Sequence, residues 1–221
     1  MPLTVFYGGT FDPVHNGHLA VARSARDALD ATIRLMPAAD PPHRAAPGAS
    51  ALHRASMLDL AVAGEQGLEV DRRELRRQMR SYTIDTLHEV RAQLGAHAPV
   101  ALLIGADSLI ELASWKQWQA LFTLAHFVVA ERHGNELDAR LPLDVRTFTQ
   151  GRWVAAAADL RTAEAGLVLR LRQPLHPESA SDIRARIAGG HPWRHLVPAP
   201  VADYIDHHQL YSGRPAASAP L

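Results

Sequence analysis

The chain has 221 residues, enough for one full-sized domain with its own core, and 47% of them are hydrophobic. Lys+Arg and Asp+Glu balance at 23 each, which excludes a global basic field for nucleic acid or an anionic membrane. The absence of cysteine excludes disulfides and thiolate metal sites, and no apolar run nears the ~20 residues of a membrane span, so a cytoplasmic protein is expected.

Leu3 to Tyr7 is apolar and β-prone, while Leu19, Ala22, Arg26 and Leu29 fall at helical spacing with apolar members. The break between strand and helix is short, and Gly8, Gly9 and Pro13 supply it. Glycines there let a ligand approach the backbone, and the free N–H groups of a helix starting near Asn16 favour an anion. His15 and His18, three residues apart, fall on one side of that first turn. They could donate to phosphoryl oxygens; the spacing alone leaves open a pair of core histidines or a metal-holding pair.

Residues Gly8-Gly9-Thr10-Phe11-Asp12-Pro13-Val14-His15-Asn16-Gly17-His18 resemble the signature G-G-x-F-D-P-x-H-x-G-H of the nucleotidyltransferases with an H-x-G-H motif. That resemblance implies transfer of a nucleotidyl group from a nucleoside triphosphate.

Ala31 to Pro37 reads as a second strand, giving a β-α-β unit and a parallel sheet. The loop Ala38-Ala39-Asp40-Pro41-Pro42-His43-Arg44 leaves the carboxyl end of a parallel strand, where such folds hold ligands. His43 and Arg44 either face a second phosphate or are a solvated pair; the family has P-P-H and a basic residue at its mononucleotide site. A helix spans Ala51 to Ala63, and Leu68 to Asp71 alternates as a strand. Five arginines between positions 72 and 80 lack interleaved aromatics, so a solvated or phosphate-facing loop is expected instead of a nucleic-acid surface.

Ser81-Tyr82-Thr83-Ile84-Asp85-Thr86-Leu87 opens a helix to about Leu94, and it resembles a stretch of the nicotinate-mononucleotide enzymes in which the backbone near the last threonine receives the pyridine carboxylate. Val100 to Ile104 has the pattern of a central parallel strand. It ends in Gly105-Ala106-Asp107-Ser108, where Asp107 could accept from ribose hydroxyls or cap a helix beginning at Ser108. Trp115-Lys116-Gln117-Trp118 follows; tryptophans at this spacing suit a core, and in the family one at the place of Trp115 stacks on the pyridine ring.

His126 to Ala130 is a further strand. Irregular structure with short elements is expected over 138–165, and Gly166 to Leu171 reads as the last strand. In Glu178-Ser179-Ala180-Ser181-Asp182-Ile183-Arg184, Ser179 and Asp182 have capping-box spacing, and the free N–H groups with Arg184 can take phosphates. This resembles the family motif I-S-S/A-T-x-I-R, with two departures: Glu178 for isoleucine and Ser181 for threonine. Val197 to Tyr211 resembles the family's closing helix.

Together the segments point to a Rossmann-like α/β fold, a doubly wound parallel sheet in a single domain over 1–211, with a disordered tail over 212–221. They are similar to the bacterial nicotinate-nucleotide adenylyltransferases, which implies ATP and nicotinate mononucleotide as substrates. His15, His18 and Arg184 would carry catalysis. ATP would meet Gly8, Gly9, Thr10, Phe11, His15, His18, Gly105, Asp107, Ser179, Ser181, Ile183 and Arg184; the mononucleotide would meet His43, Arg44, Thr83, Thr86, Trp115, Lys116 and Arg132. Mg2+ would be bound mainly through ATP phosphates, with no metal-ligand set in the protein. No nucleic-acid or membrane partner is expected, and a homo-oligomer stays open. The alternatives are a related adenylyltransferase for nicotinamide mononucleotide or phosphopantetheine, a non-catalytic ATP sensor, and a metal-binding protein suggested by 13 histidines.

Overall fold

Alternating apolar runs and amphipathic stretches settle into strands and helices in strict succession. The computed structural model describes residues 2–39, 48–77, 81–131, 137–173 and 176–212. Its strands are β1 (Thr4–Gly9), β2 (Thr32–Pro37), β3 (Leu68–Val70), β4 (Val100–Gly105), β5 (His126–Ala130), β6 (Trp153–Val154) and β7 (Val168–Leu171). Its α-helices are α1 (Asn16–Leu29), α2 (Ala51–Val62), α3 (Thr83–Leu94), α4 (Ala106–Ile110), α5 (Trp118–Leu121), α6 (Leu137–Arg140), α7 (Leu143–Thr149), α8 (Ala180–Ala188) and α9 (Ala199–His207).

The strands form one parallel sheet in the order β3-β2-β1-β4-β5-β7-β6. Strand order reverses between β1 and β4, so their crossovers leave on opposite faces and a crevice opens beyond their carboxyl ends. The expected doubly wound fold is therefore present. The short elements within 138–165 include β6, a two-residue edge strand too brief to register as a pattern.

Side-chain alternation divides the core in two. Val5, Ile33, Leu103 and Val128 pack with Leu19 of α1, Leu58 of α2, Ile183 of α8 and Ile205 of α9. Phe6, Leu102, Phe127 and Val129 pack on the other face with Ile84 of α3, Leu109 of α4, Leu121 of α5 and Val145 of α7. Every residue of β5 is buried, as a strand covered on both faces requires. On α1 the buried stripe is Leu19, Ala22, Ala25 and Leu29, while Arg26 lies on the flank and pairs with Asp27.

Residues 213–221, nearly all of the expected tail, lie outside the described residues. Of the arginines after position 71, Arg72 pairs with Asp59, Arg73 with Asp71 at 2.7 Å and Arg77 with Glu89 at 2.8 Å. Each of these three charges is answered within the chain.

Candidate active site

The carboxyl ends of β1 and β4 place Gly8, Gly9 and Gly105 at the switch point, and α1 starts directly above them. Its N-cap is His15, whose Nδ1 accepts from the His18 amide at 3.3 Å; His18 Nδ1 accepts from the His15 amide at 3.3 Å. The two rings stack at 3.6 Å. Because each Nδ1 is an acceptor, each neutral ring carries its proton on Nε2 and is a donor at that nitrogen. Both rings line a cavity of about 70 Å³ with Tyr7, Gly17, Gly105 and Glu178. The histidine spacing thus produces a reciprocal cap as well as a donor pair.

Gly9 serves packing in addition to open access. A Cβ there would lie 2.9 Å from Phe11 Cζ, since the Phe11 ring covers that position. Phe11 itself has φ 51° and is 2% exposed, with its ring 5.0 Å from that of His18 and 5.5 Å from that of Tyr7. A Cβ at Gly8 would meet Met36 Cε at 3.8 Å, an ordinary van der Waals contact. Phe11 is therefore a buttress for the His18 ring.

Opposite α1, the N-terminus of α8 meets the same turn. Arg184 donates from Nη1 to the Asp12 carbonyl at 2.6 Å, lies 3.7 Å from the Asp12 carboxylate, and donates from Nη2 to Ser181 Oγ at 3.3 Å. The expected capping box is absent: Ser179 is the N-cap by backbone only, and Asp182 turns instead to Arg186 at 2.7 Å. An i,i+4 ion pair on the exposed face competes successfully with the cap for that carboxylate. Ile183 is fully buried in the core, and its amide donates to the Ser179 carbonyl. It supports α8 from below instead of facing the crevice.

Glu178, the departure from the family motif, lines the cavity beside the two histidines. Its Oε2 is buried without a hydrogen-bond donor, 3.8 Å from His176 Nδ1, and Gln173 Oε1 on the same wall is in the same condition. Hard oxygens lacking donors suit Mg2+. No group of three His, Cys, Asp or Glu side chains among the described residues is placed to hold a metal by itself. Glu178 Oε2 and Gln173 Oε1 would offer such an ion two oxygens.

On the other side of β4, the helix after Gly105 starts at Ala106 and not at Ser108, with Gly105 as N-cap. Asp107 sits in the first turn, not at the cap, and its exposed carboxylate lies 3.6 Å from Arg140. At the start of α3, Thr86 is 1% exposed; its hydroxyl donates to Glu74 at 2.7 Å, it accepts from Arg77 at 2.7 Å, and its amide donates to the Tyr82 carbonyl. Thr86 thus anchors the helix, and the N–H groups that a helix start leaves over belong to Thr83 and Ile84. Burial raises the Glu74 carboxyl above its ordinary value, which suits a group buried under that anchor. Lys116 reaches this helix start, 3.6 Å from Asp85 and 4.4 Å above the Tyr82 ring, so half-buried Trp115 lies close by in sequence. His43, Arg44 and Arg132 lie outside the described residues.

Three residues of the site went unread in the sequence. Arg54 of α2 is fully buried and donates to the carbonyls of Thr10 at 2.6 Å, Ala38 at 2.8 Å and Ala49 at 3.3 Å. Asp12 accepts from the Ala49 amide at 3.1 Å and from the Tyr211 hydroxyl at 2.6 Å. The available signal was an arginine within the apolar stripe of α2, among Ala55, Met57 and Leu58.

Two helix starts and an imidazole pair gathered at a switch point mark the chain as a nucleotidyltransferase, and the cytidylyltransferase-like family model matches residues 6–186. The chain is 54% identical to a probable nicotinate-nucleotide adenylyltransferase of Stenotrophomonas maltophilia, over 96% of this chain and 97% of that one. It is 49% identical to one of Xylella fastidiosa, over 95% and 96%. It belongs to the nicotinate-nucleotide adenylyltransferase family. The fold is also that of the Plasmodium falciparum nicotinic acid mononucleotide adenylyltransferase complexed with NaAD, at 15% identity and a TM-score of 0.70 over 97% of this chain and 99% of that one.

Proposed function

We propose that this enzyme transfers the adenylyl group of ATP to nicotinate mononucleotide, releasing pyrophosphate and forming nicotinic acid adenine dinucleotide, a step of NAD biosynthesis. The supporting observation is the 2.6 Å bond from Arg184 to the Asp12 carbonyl, which brings the start of α8 against the turn that carries His15 and His18. One polyphosphate can then span both helix starts.

The attacking phosphate oxygen is already ionised at neutral pH, so no general base is required. In-line displacement at the α-phosphorus builds charge on the equatorial and leaving oxygens. His18 Nε2 and the α1 amides stabilise the α-phosphoryl oxygens, while His15 and Thr10 orient the triphosphate. Ser179, Ser181 and Arg184 hold the departing pyrophosphate. Mg2+ on the phosphates would neutralise further charge, with Glu178 and Gln173 offering it, or its waters, oxygen ligands. The amides of Thr83 and Ile84, with Trp115 and Lys116, take the pyridine end, where His43, Arg44 and Arg132 complete the mononucleotide contacts. Asp107, exposed beyond β4, takes the adenosine ribose, and residues 1–211 work as one cytoplasmic domain.

Pyrophosphate release measured with ATP and nicotinate mononucleotide, nicotinamide mononucleotide or phosphopantetheine tests this. Nicotinate mononucleotide gives the highest kcat/KM of the three. A better acceptor among the others overturns the substrate, and no release with any of them overturns the activity.

A further inference from the structure

We propose that Tyr211, at the far end of the chain, is a positioning residue for ATP: through its hydrogen bond to Asp12 it fixes the backbone oxygen that holds Arg184. This rests on the reading of Arg184 as a phosphate ligand.

The Tyr211 hydroxyl donates to Asp12 Oδ1 at 2.6 Å, and the Ala49 amide donates to the same oxygen at 3.1 Å. Asp12 is 2% exposed, so its carboxylate exchanges little with water, and removing one donor from a buried carboxylate leaves it under-solvated. The Asp12 backbone is what Arg184 grips. A carboxylate freed to rotate therefore shifts the anchor of the arginine. The packing points the same way: a Cβ at Gly48 would lie 2.7 Å from the Tyr211 ring and 3.2 Å from Arg184 Cδ, so ring and guanidinium stem share one slot.

Tyr211 is also held in a left-handed backbone conformation, φ 64°, as is Gln209 at φ 51°. A non-glycine residue keeps such a conformation where its surroundings over-determine it. Burial with the Asp12 contact raises the phenol far above its ordinary value, so it remains a donor throughout the working pH range. Tyr211 thus joins the turn of the first motif to the arginine of the second.

The test is binding of a non-hydrolysable ATP analogue by calorimetry to wild type, Tyr211→Phe, Arg184→Lys and the double variant, with pyrophosphate release as the kinetic readout. Tyr211→Phe keeps the ring and weakens analogue binding about tenfold, the effect of one hydrogen bond to a charged group, with a matching rise in KM for ATP. The affinity for nicotinate mononucleotide changes by less than about threefold, and the double variant loses less than the product of the single losses, because both act on one contact. A lower melting temperature with unchanged ATP affinity, equal weakening of both substrates, or multiplicative losses in the double variant overturns the inference. The Arg184→Lys arm tests the underlying reading separately: unchanged analogue affinity in that variant overturns Arg184 as a phosphate ligand, whatever Tyr211→Phe does.

Discussion

His15 and His18 each accept the other's backbone amide through Nδ1, so the same two imidazoles cap α1 and present Nε2 donors. Catalysis and helix stability are therefore linked. His18→Ala removes one preorganised donor and lowers kcat by ~10²–10³. It also removes half of the reciprocal cap and costs about 1 kcal/mol of stability. Steady-state kinetics and denaturant unfolding of the same variant measure both; full activity sinks the assignment.

Arg184 is the ligand nearest the leaving group in the proposed reaction. Its side chain is 34% exposed, so Arg184→Ala opens no core cavity and costs only the bond to the Asp12 carbonyl, about 1 kcal/mol. KM for ATP rises and kcat falls, together lowering kcat/KM by ~10²-fold. An unchanged value shows that the α8 N-terminus takes no part.

Gly9→Ala places a methyl group 2.9 Å from the Phe11 ring, closer than carbon atoms pack. The ring must move, and the His18 ring beside it loses its buttress. Overpacking of this kind costs ~1–3 kcal/mol. A fall in melting temperature accompanied by reduced kcat is expected, whereas Gly8→Ala, whose methyl group would meet Met36 at an ordinary 3.8 Å, leaves the melting temperature nearly unchanged.

Glu178→Gln removes charge from the cavity wall while keeping its shape. The Mg2+ concentration for half-maximal activity rises several-fold, and metal-free ATP binds more tightly because a like charge is gone. A Mg2+ titration that superimposes on wild type removes Glu178 from the site.

Burial lowers the pKa of His126, which is the first residue of β5, donates from Nε2 to the Ala163 carbonyl at 3.1 Å, and accepts from the Leu167 amide at Nδ1. The unfolded chain takes up that proton near pH 6.5, whereas the folded chain does so only at lower pH. Stability contributed by His126 is present above about pH 6.5 and is lost as pH falls from there toward the folded value. Unfolding midpoints measured from pH 5 to 8 decline on the acid side, and His126→Asn flattens that slope.

The sequence by itself determined the elements and the chemistry at their ends. Continuous apolar runs such as Val100 to Ile104 and the glycine-histidine turn after β1 are local signals, because a strand, a helix start and a tight turn are specified by residues a few positions apart. A parallel sheet also followed from β-α-β crossovers of fixed hand, while the strand order came only with the structure. Which polar groups would find one another did not follow. Ser179 and Asp182 have the spacing of a cap, yet Asp182 prefers Arg186; nor did spacing show that Glu74 and Arg77 would both bond the Thr86 hydroxyl.

Arg54, Asp12 and Tyr211 are distant in sequence and meet only because α2, the β1 turn and the residue that follows α9 close around one buried space. A buried carboxylate or guanidinium must satisfy its hydrogen bonds from whatever the fold brings near, at any sequence separation. Spacing along the chain fixed what each segment could offer; packing in three dimensions decided which offers were taken up within the protein and which were left to face the crevice.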